Sequence, residues 1–451
     1  MLIDFRNIRS IEQSKEIELP LSKSESNRAL MIAFYLKTQR LRDSETLRLC
    51  DSATLRLSNS DDTVLLKNLL EKINQYIYHY KQSQLSVDCC PLTLDCANAG
   101  TVFRFLMTAV SVIDNCSGVT CRDCYILTGA ERMKSRPIGD LVDALRSLGV
   151  EVEYMDNEGY PPLMVRGCRV EGGRVEVSAE HSSQFASSLL LAAPLWKNGL
   201  ELHLTGNISS LPYIDMTINM MRNCGIDVER KDSDIFVKPG NYIVDNIVIE
   251  PDWSSAAFWY EYLALSDKEQ KVLLKNINVN SKQADAVAMK MFEYLGVETV
   301  SYEDGAVINK STSQQVNKST SQLPTFNFSN CPDLFPAVIA TCAGLQLNAT
   351  FTGIKNLSIK ESDRKQAMIN ELKKINISFE NISDDILKMR CPEELPLFSK
   401  DNPIVFNSYK DHRIVMALSI LSLKIGTIKI DDKDVVRKSY PKFWEDFTLM
   451  I

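Results

Sequence analysis

A basic surface is the first thing this 451-residue chain lacks: 51 Lys and Arg stand against 58 Asp and Glu, a formal net charge of −7. Neutralising a phosphate backbone needs a sustained positive face, so a general nucleic-acid binder is excluded, while a local anion site is not. Histidine is nearly absent, at 4 residues. None lies near Cys121-Arg-Asp-Cys124, the single C-x-x-C, so the second ligand pair of a zinc site is missing and no metal is expected. The 12 cysteines show no even spacing and fit reduced thiols better than a disulfide framework. Long apolar runs are missing too. The longest, around Phe185–Trp196 and Leu334–Leu345, reach about a dozen residues against the roughly 20 needed to span a bilayer, and read as buried helices. Charges interrupt the apolar stretch of Met1–Ser10, so a cytoplasmic rather than a secreted protein is expected. Glycine is scarce, at 18 residues, and no Gly-x-x-x-x-Gly-Lys run occurs, which excludes the phosphate loop of nucleotide hydrolases.

What is present is an ordinary globular balance of 45% hydrophobic and 24% charged residues. The length exceeds the roughly 250–300 residues at which one core stops growing, so two domains or a repeat architecture are expected. One pattern recurs: an amphipathic helix, a tight turn and a β-branched strand. It runs Leu141 to Gly149-Val-Glu-Val, Thr217 to Gly225-Ile-Asp-Val, Ala288 to Gly296-Val-Glu-Thr, and Met368 to Asn376-Ile-Ser-Phe. Glycine or asparagine stands each time where a helix takes a left-handed cap residue. The caps are spaced by 76, 71 and 80 residues. A unit of about 75 residues repeated six times would account for nearly the whole chain. Two segments, 40–62 and 309–322, carry polar tandem duplications (Ser-Glu-Thr-Leu-Arg-Leu beside Ser-Ala-Thr-Leu-Arg-Leu, and Asn-Lys-Ser-Thr-Ser-Gln twice) and read as expanded loops.

Four polar or cationic helix starts carry the chemistry. Ser22-Lys-Ser-Glu-Ser-Asn-Arg28 follows a short strand at Glu16–Leu19 and opens an apolar helix. Asn98-Ala-Gly100-Thr-Val-Phe-Arg104 lets backbone approach a ligand at its glycine. Glu131-Arg132-Met-Lys-Ser-Arg136-Pro groups three cations ahead of a proline-initiated helix, and Ser182-Ser-Gln184-Phe places two hydroxyls and an amide before another. Free N–H groups, the helix dipole and full positive charge all favour anions at such positions. The second half adds Asp333 in Cys-Pro-Asp-Leu-Phe-Pro, Lys360-Glu361-Ser-Asp-Arg364, Asp411-His412-Arg413 and Arg437-Lys438-Ser-Tyr-Pro. Each alone is a capped or salt-bridged helix start; together they suit a site for dianionic groups.

This run of motifs, with Asp252-Trp-Ser-Ser-Ala between them, resembles the EPSP synthase (3-phosphoshikimate 1-carboxyvinyltransferase) family in order across nearly the whole chain. The resemblance implies an α/β fold of two domains, each of three βαβαββ copies with helices packed inside. The domains would be 22–249, and 1–21 with 250–451. It implies transfer of the enolpyruvyl group of phosphoenolpyruvate to the 5-hydroxyl of shikimate 3-phosphate, by addition and elimination through a tetrahedral intermediate, without cofactor or metal. By matching positions, Lys23, Ser24, Arg28, Ser182, Ser183, Gln184, Ser210, Tyr213, Asp333, Asn356 and Lys360 would hold shikimate 3-phosphate. Lys23, Asn98, Gly100, Arg132, Gln184, Arg364, His412, Arg413 and Lys438 would surround phosphoenolpyruvate. Asp333 would be the general base, Glu361 the proton donor to the methylene carbon, and Lys23 the cation beside the departing phosphate. The resemblance also implies a monomer and a target of glyphosate.

Three positions depart from the family pattern: Leu21 for glycine, Ser358 for arginine, and Phe105 for proline or leucine beside the glyphosate-limiting helix start. The alternatives are the sister transferase acting on UDP-N-acetylglucosamine, disfavoured by Ser-Ser-Gln-Phe and Lys-Glu-Ser-Asp-Arg, and a non-catalytic anion-binding relative, disfavoured by the presence of both Asp333 and Glu361.

Overall fold

All four residues expected to end helices in the left-handed region do so, with φ of 85° at Gly149, 83° at Gly225, 85° at Gly296 and 65° at Asn376. Each joins a helix to the outer strand of a four-stranded sheet, and the four sheets share one order. In the first, Leu92–Asp95 lies parallel to Cys124–Thr128, which pairs antiparallel with Leu163–Arg166, and Glu151–Tyr154 closes the edge. The strands Gly173–Ser178, Leu200–Thr205, Asp234–Val237 and Val228–Lys231 repeat this arrangement. So do Lys15–Ile17, Lys271–Lys275, Gly305–Lys310 and Val297–Tyr302, and again Thr325–Asn327, Ala349–Thr352, Ile386–Arg390 and Ser378–Ser383. The βαβαββ repeat is therefore a property of the backbone as well as of the sequence pattern.

The structure is a computed structural model and describes residues 15–42, 55–82, 91–113, 124–180, 182–206, 210–244, 247–268, 270–311 and 323–451. The chain divides into two units, one of Met1–Ser22 with Glu250–Ile451, the other Lys23–Ile249. Within each unit two copies of the repeat are complete and the third is abbreviated among the described residues. In the first unit the third copy is one parallel pair, Ile404–Phe406 with Ile428–Ile430, followed by the aromatic helix Phe443–Met450. That helix stacks Phe443 on Phe447 and sets Phe443 edge-on against Phe258, covering the core where further strands would have stood. In the second unit the described part of the third copy is the helices Lys23–Arg42 and Asp61–Gln82. Most of segments 40–62 and 309–322 lies outside the described residues, as does Cys121; the described ends of the former reach into these two helices.

The sheets face outward and the helices fill the interior. Every residue of Trp253–Leu265 and of Phe335–Gly344 is buried, as are nearly all of Gly100–Ser111 and His412–Ile425. A helix apolar all round has no solvent face to keep, which is why these stretches lack polar stripes. A Cβ at Gly344 would meet Leu265 at 2.6 Å and Leu421 at 3.1 Å, so the missing side chain lets three interior helices close up. Burial of each large apolar side chain stabilises the fold by about 1.5–3 kcal/mol before entropy is counted. Among the described residues no helix is long and apolar enough to cross a membrane, no group of His, Cys, Asp and Glu is arranged to hold a metal, and seven cysteines are free thiols.

Candidate active site

Each unit presents helix starts that gather charge, and each cluster is built within its own unit. In Lys23–Ile249 the hub is Arg28, on the first helix and 2% exposed. Its Nε donates to Thr217 Oγ1 at 2.6 Å, Nη1 to the Ser24 carbonyl at 2.9 Å, and Nη2 to Ser187 Oγ at 3.2 Å and the Tyr213 carbonyl at 3.1 Å. Ser210, at φ 57°, starts the helix Leu211–Asn223 that brings Tyr213 and Thr217 to it. No carboxylate pairs with Arg28 among the described residues. Burial pulls its guanidinium down to about 10, with Tyr213 and Glu25 partly offsetting that. A desolvated cation with hydrogen bonds but no counter-charge favours an incoming anion.

Beside it, Lys23 Nζ lies 3.1 Å from Asp62 Oδ2, with both side chains largely buried. Asp62 was hidden in sequence within the polar segment 40–62; the structure puts it in the first turn of Asp61–Gln82, where acidic residues suit the helix dipole. Ser182 caps the helix Ser183–Ala192 by accepting from Gln184 N at 3.2 Å. Gln184 reaches the Gly100–Ser111 helix, where Arg104 and Thr101 hold its amide. The Gly100 start is tight, because a Cβ there would come within 2.3 Å of Arg136 Nη1 and 2.4 Å of Arg104 Nη1. Asn98 precedes this helix and Arg132 sits on the short turn Glu131–Lys134. Lys134, the middle cation of its motif, pairs instead with Glu131 at the surface. Phe105 is fully buried with Arg28 over its ring at 5.6 Å, so this departure from the family pattern packs under the hub.

In the other unit the hub is Arg364, first residue of the helix Arg364–Lys373 and 0% exposed. All three of its nitrogens are engaged: Nε with Asp411 at 2.8 Å, Nη1 with Asp333 at 2.6 Å and Nη2 with Glu361 at 2.7 Å. Asp333, on the turn Pro332–Leu334, also accepts from Arg413 Nη2 at 2.7 Å. Burial alone would raise the Asp333 carboxyl, but Arg413, Arg364 and Lys360 together hold it well below the usual carboxylate range. Arg364 stays firmly protonated, burial being outweighed by Asp411, Glu361 and Asp333. Arg413 is buried, and its Nε and Nη1 have no partner among the described residues, leaving two donors ready for a ligand. Asp411 caps the helix His412–Ile425 and is the anchor that sequence reading quoted without a role. His412 is fully buried, with Nδ1 3.9 Å from Asp411. Asn356 stands on the turn Lys355–Ile359, and Lys438, half-buried, ends the turn Asp434–Lys438.

Sequence reading also missed Asp285. It is buried on the turn Ala284–Val287, accepts from Ser254 Oγ at 2.5 Å, and has its carboxyl pushed up to about 7 by burial and the charge of Asp333, against Arg413 and Ser254. Nothing in the run Gln-Ala-Asp-Ala signals this; only the fold brings it toward Asp333.

Both units thus carry cation-rich helix starts on βαβαββ copies with interior helices, an arrangement that suits anionic substrates. Residues 9–447 match the family EPSP synthase (3-phosphoshikimate 1-carboxyvinyltransferase). The 3-phosphoshikimate 1-carboxyvinyltransferase of Bacteroides fragilis (strain YCH46) is 35% identical over 439 residues, covering 95% of this chain and 93% of that protein. The protein of the same description from Vibrio vulnificus (strain YJ016) is 31% identical over 446 residues, covering 95% of each. A solved EPSP synthase from Acinetobacter baumannii shares the fold, with a TM-score of 0.67 at 21% identity, over 97% of this chain and 95% of that one. The chain belongs to the EPSP synthase family. It is an enzyme of the 3-phosphoshikimate 1-carboxyvinyltransferase class, and the reading as a UDP-N-acetylglucosamine transferase is not favoured.

Proposed function

We propose that Asp333 and Glu361 are the proton-transfer pair of the enolpyruvyl transfer. Asp333 takes the proton of the shikimate 3-phosphate 5-hydroxyl as that oxygen attacks C2 of phosphoenolpyruvate, while Glu361 protonates C3. The methyl proton then returns to Glu361, the C2–O bond to phosphate breaks, the departing phosphate takes up the proton held by Asp333, and 5-enolpyruvylshikimate 3-phosphate and phosphate result. The observation that carries this reading is the Asp333 carboxylate held between Arg364 and Arg413, with two Arg413 donors open. A ligand carboxylate on those guanidinium groups would draw them from Asp333 and restore its basicity.

In this reading Arg28, Ser24, Ser182, Ser183, Ser210, Tyr213, Asn356 and Lys360 hold shikimate 3-phosphate. Gly100, Asn98, Arg132, Arg364, His412, Arg413 and Lys438 surround phosphoenolpyruvate, and Lys23 and Gln184 touch both. Lys23 acts as a point charge on the departing phosphate. Within this set His412 and Arg364 are both fully buried. The reading also takes the enzyme as a cytoplasmic monomer; the free thiols among the described residues suit a reducing compartment, and sedimentation equilibrium would test the mass.

Phosphate release with shikimate 3-phosphate and phosphoenolpyruvate, run beside UDP-N-acetylglucosamine, tests the assignment. Asp333→Asn and Glu361→Gln are each expected to keep the wild-type circular dichroism and lose at least a hundredfold in kcat. Normal turnover in either variant removes its assigned role.

A further inference from the structure

The amide of Gln184 is held from two sides by residues of a different helix. Arg104 Nη1 donates to Gln184 Oε1 at 2.8 Å, and Gln184 Nε2 donates to Thr101 Oγ1 at 2.8 Å. Arginine has no acceptor, so the atom facing it is the amide oxygen; a flipped amide would set two donors against each other. Arg104 is itself fixed, 3% exposed and stacked over the Phe185 ring at 5.3 Å. Its Nη1 occupies space that a Cβ on Gly100 would invade, being 2.4 Å from that position. The half-buried Gln184 amide has a second N–H with no partner among the described residues, while its oxygen is committed.

We propose that Arg104 and Thr101 are positioning residues that lock Gln184 as a one-way N–H donor to the anionic enolpyruvyl donor. This rests on the reading above in which Gln184 touches the substrates. An unlocked amide could turn its oxygen toward a phosphate or carboxylate, replacing an attraction with a repulsion. The room left by Gly100 then serves the protein as well as the ligand, because it admits the guanidinium that orients Gln184.

A double-mutant cycle on steady-state kinetics, with phosphoenolpyruvate varied at saturating shikimate 3-phosphate, tests this. Arg104→Met and Gln184→Ala are each expected to lower kcat/KM by about ten- to a hundredfold, the range of one hydrogen bond to a charged group. Combined, they are expected to be no worse than Gln184→Ala alone. If the losses multiply, Arg104 acts on the ligand by its own charge and the proposal fails. If Gln184→Ala keeps full kcat/KM, the contact assigned to Gln184 fails first and takes the proposal with it. Should Arg104→Met not fold, as read by thermal melting, Thr101→Val takes its place in the cycle. Thr101→Ser is then expected to restore activity; equal losses in both Thr101 variants overturn the role of the hydroxyl.

Discussion

Glu261 stands in the middle of the fully buried helix Trp253–Leu265, 0% exposed, and neither carboxyl oxygen has a hydrogen-bond partner among the described residues. Burial raises its carboxyl well above the ordinary range, so it carries a proton inside the folded protein. The folded value lies above the unfolded one. Its contribution to stability is thus fully present below the unfolded value of about 4.3 and is lost as pH climbs toward the folded value. Between those limits the slope is about 1.4 kcal/mol per pH unit. The unpartnered polar atoms add about 1–3 kcal/mol of cost at any pH. Glu261→Met removes both costs, while Glu261→Gln removes only the pH-dependent one. The assay is urea unfolding at pH 5 and pH 7 by tryptophan fluorescence, which favours this unit because Trp253, Trp259 and Trp444 lie in it and only Trp196 in the other. The Met variant is expected to be more stable than wild type at both pH values, with the larger advantage at pH 7. An advantage that does not change with pH would refute the buried neutral acid.

Two further outcomes follow from the geometry. Asp62→Asn keeps an acceptor for Lys23 but removes the competing charge, so KM for phosphoenolpyruvate is expected to fall severalfold at low salt; a rise in steady-state assays would show that the charge pair is needed for position. Asn376 holds φ at 65° where the other three repeat caps are glycine, so in thermal unfolding Asn376→Gly is expected to stabilise by about 0.5 kcal/mol and Asn376→Ala to destabilise by about 1 kcal/mol. Destabilisation by glycine would mean that the asparagine side chain, and not its backbone freedom, matters there.

The repeat was legible because it is written in local physics. A left-handed cap needs Gly or Asn whatever surrounds it, so four caps at near-even spacing exposed four sheets of one order. The abbreviated third copies were not legible. Nothing in the pattern near Ile404 says that two strands are replaced by an aromatic helix, because that is decided by which surface covers the core. Candidate site residues were readable where a cation or hydroxyl opens a helix, as at Lys23, Arg28, Ser182 and Arg364. Asp62 and Asp285 were not, since an acid in a polar stretch or a short turn carries no mark of what it will face.

Sequence alone therefore determined the element types, the repeat, and the inventory of charged helix starts, all of which depend on neighbours within a few residues. Tertiary structure decided the partners. It clamped Asp333 between two arginines, gave Lys23 a buried counter-charge, left Arg28 without one among the described residues, and raised the Glu261 carboxyl by burying it in an apolar interior. Proton affinity and the readiness of a cation for a ligand are set by burial and by charges distant along the chain, and those exist only once the chain has folded.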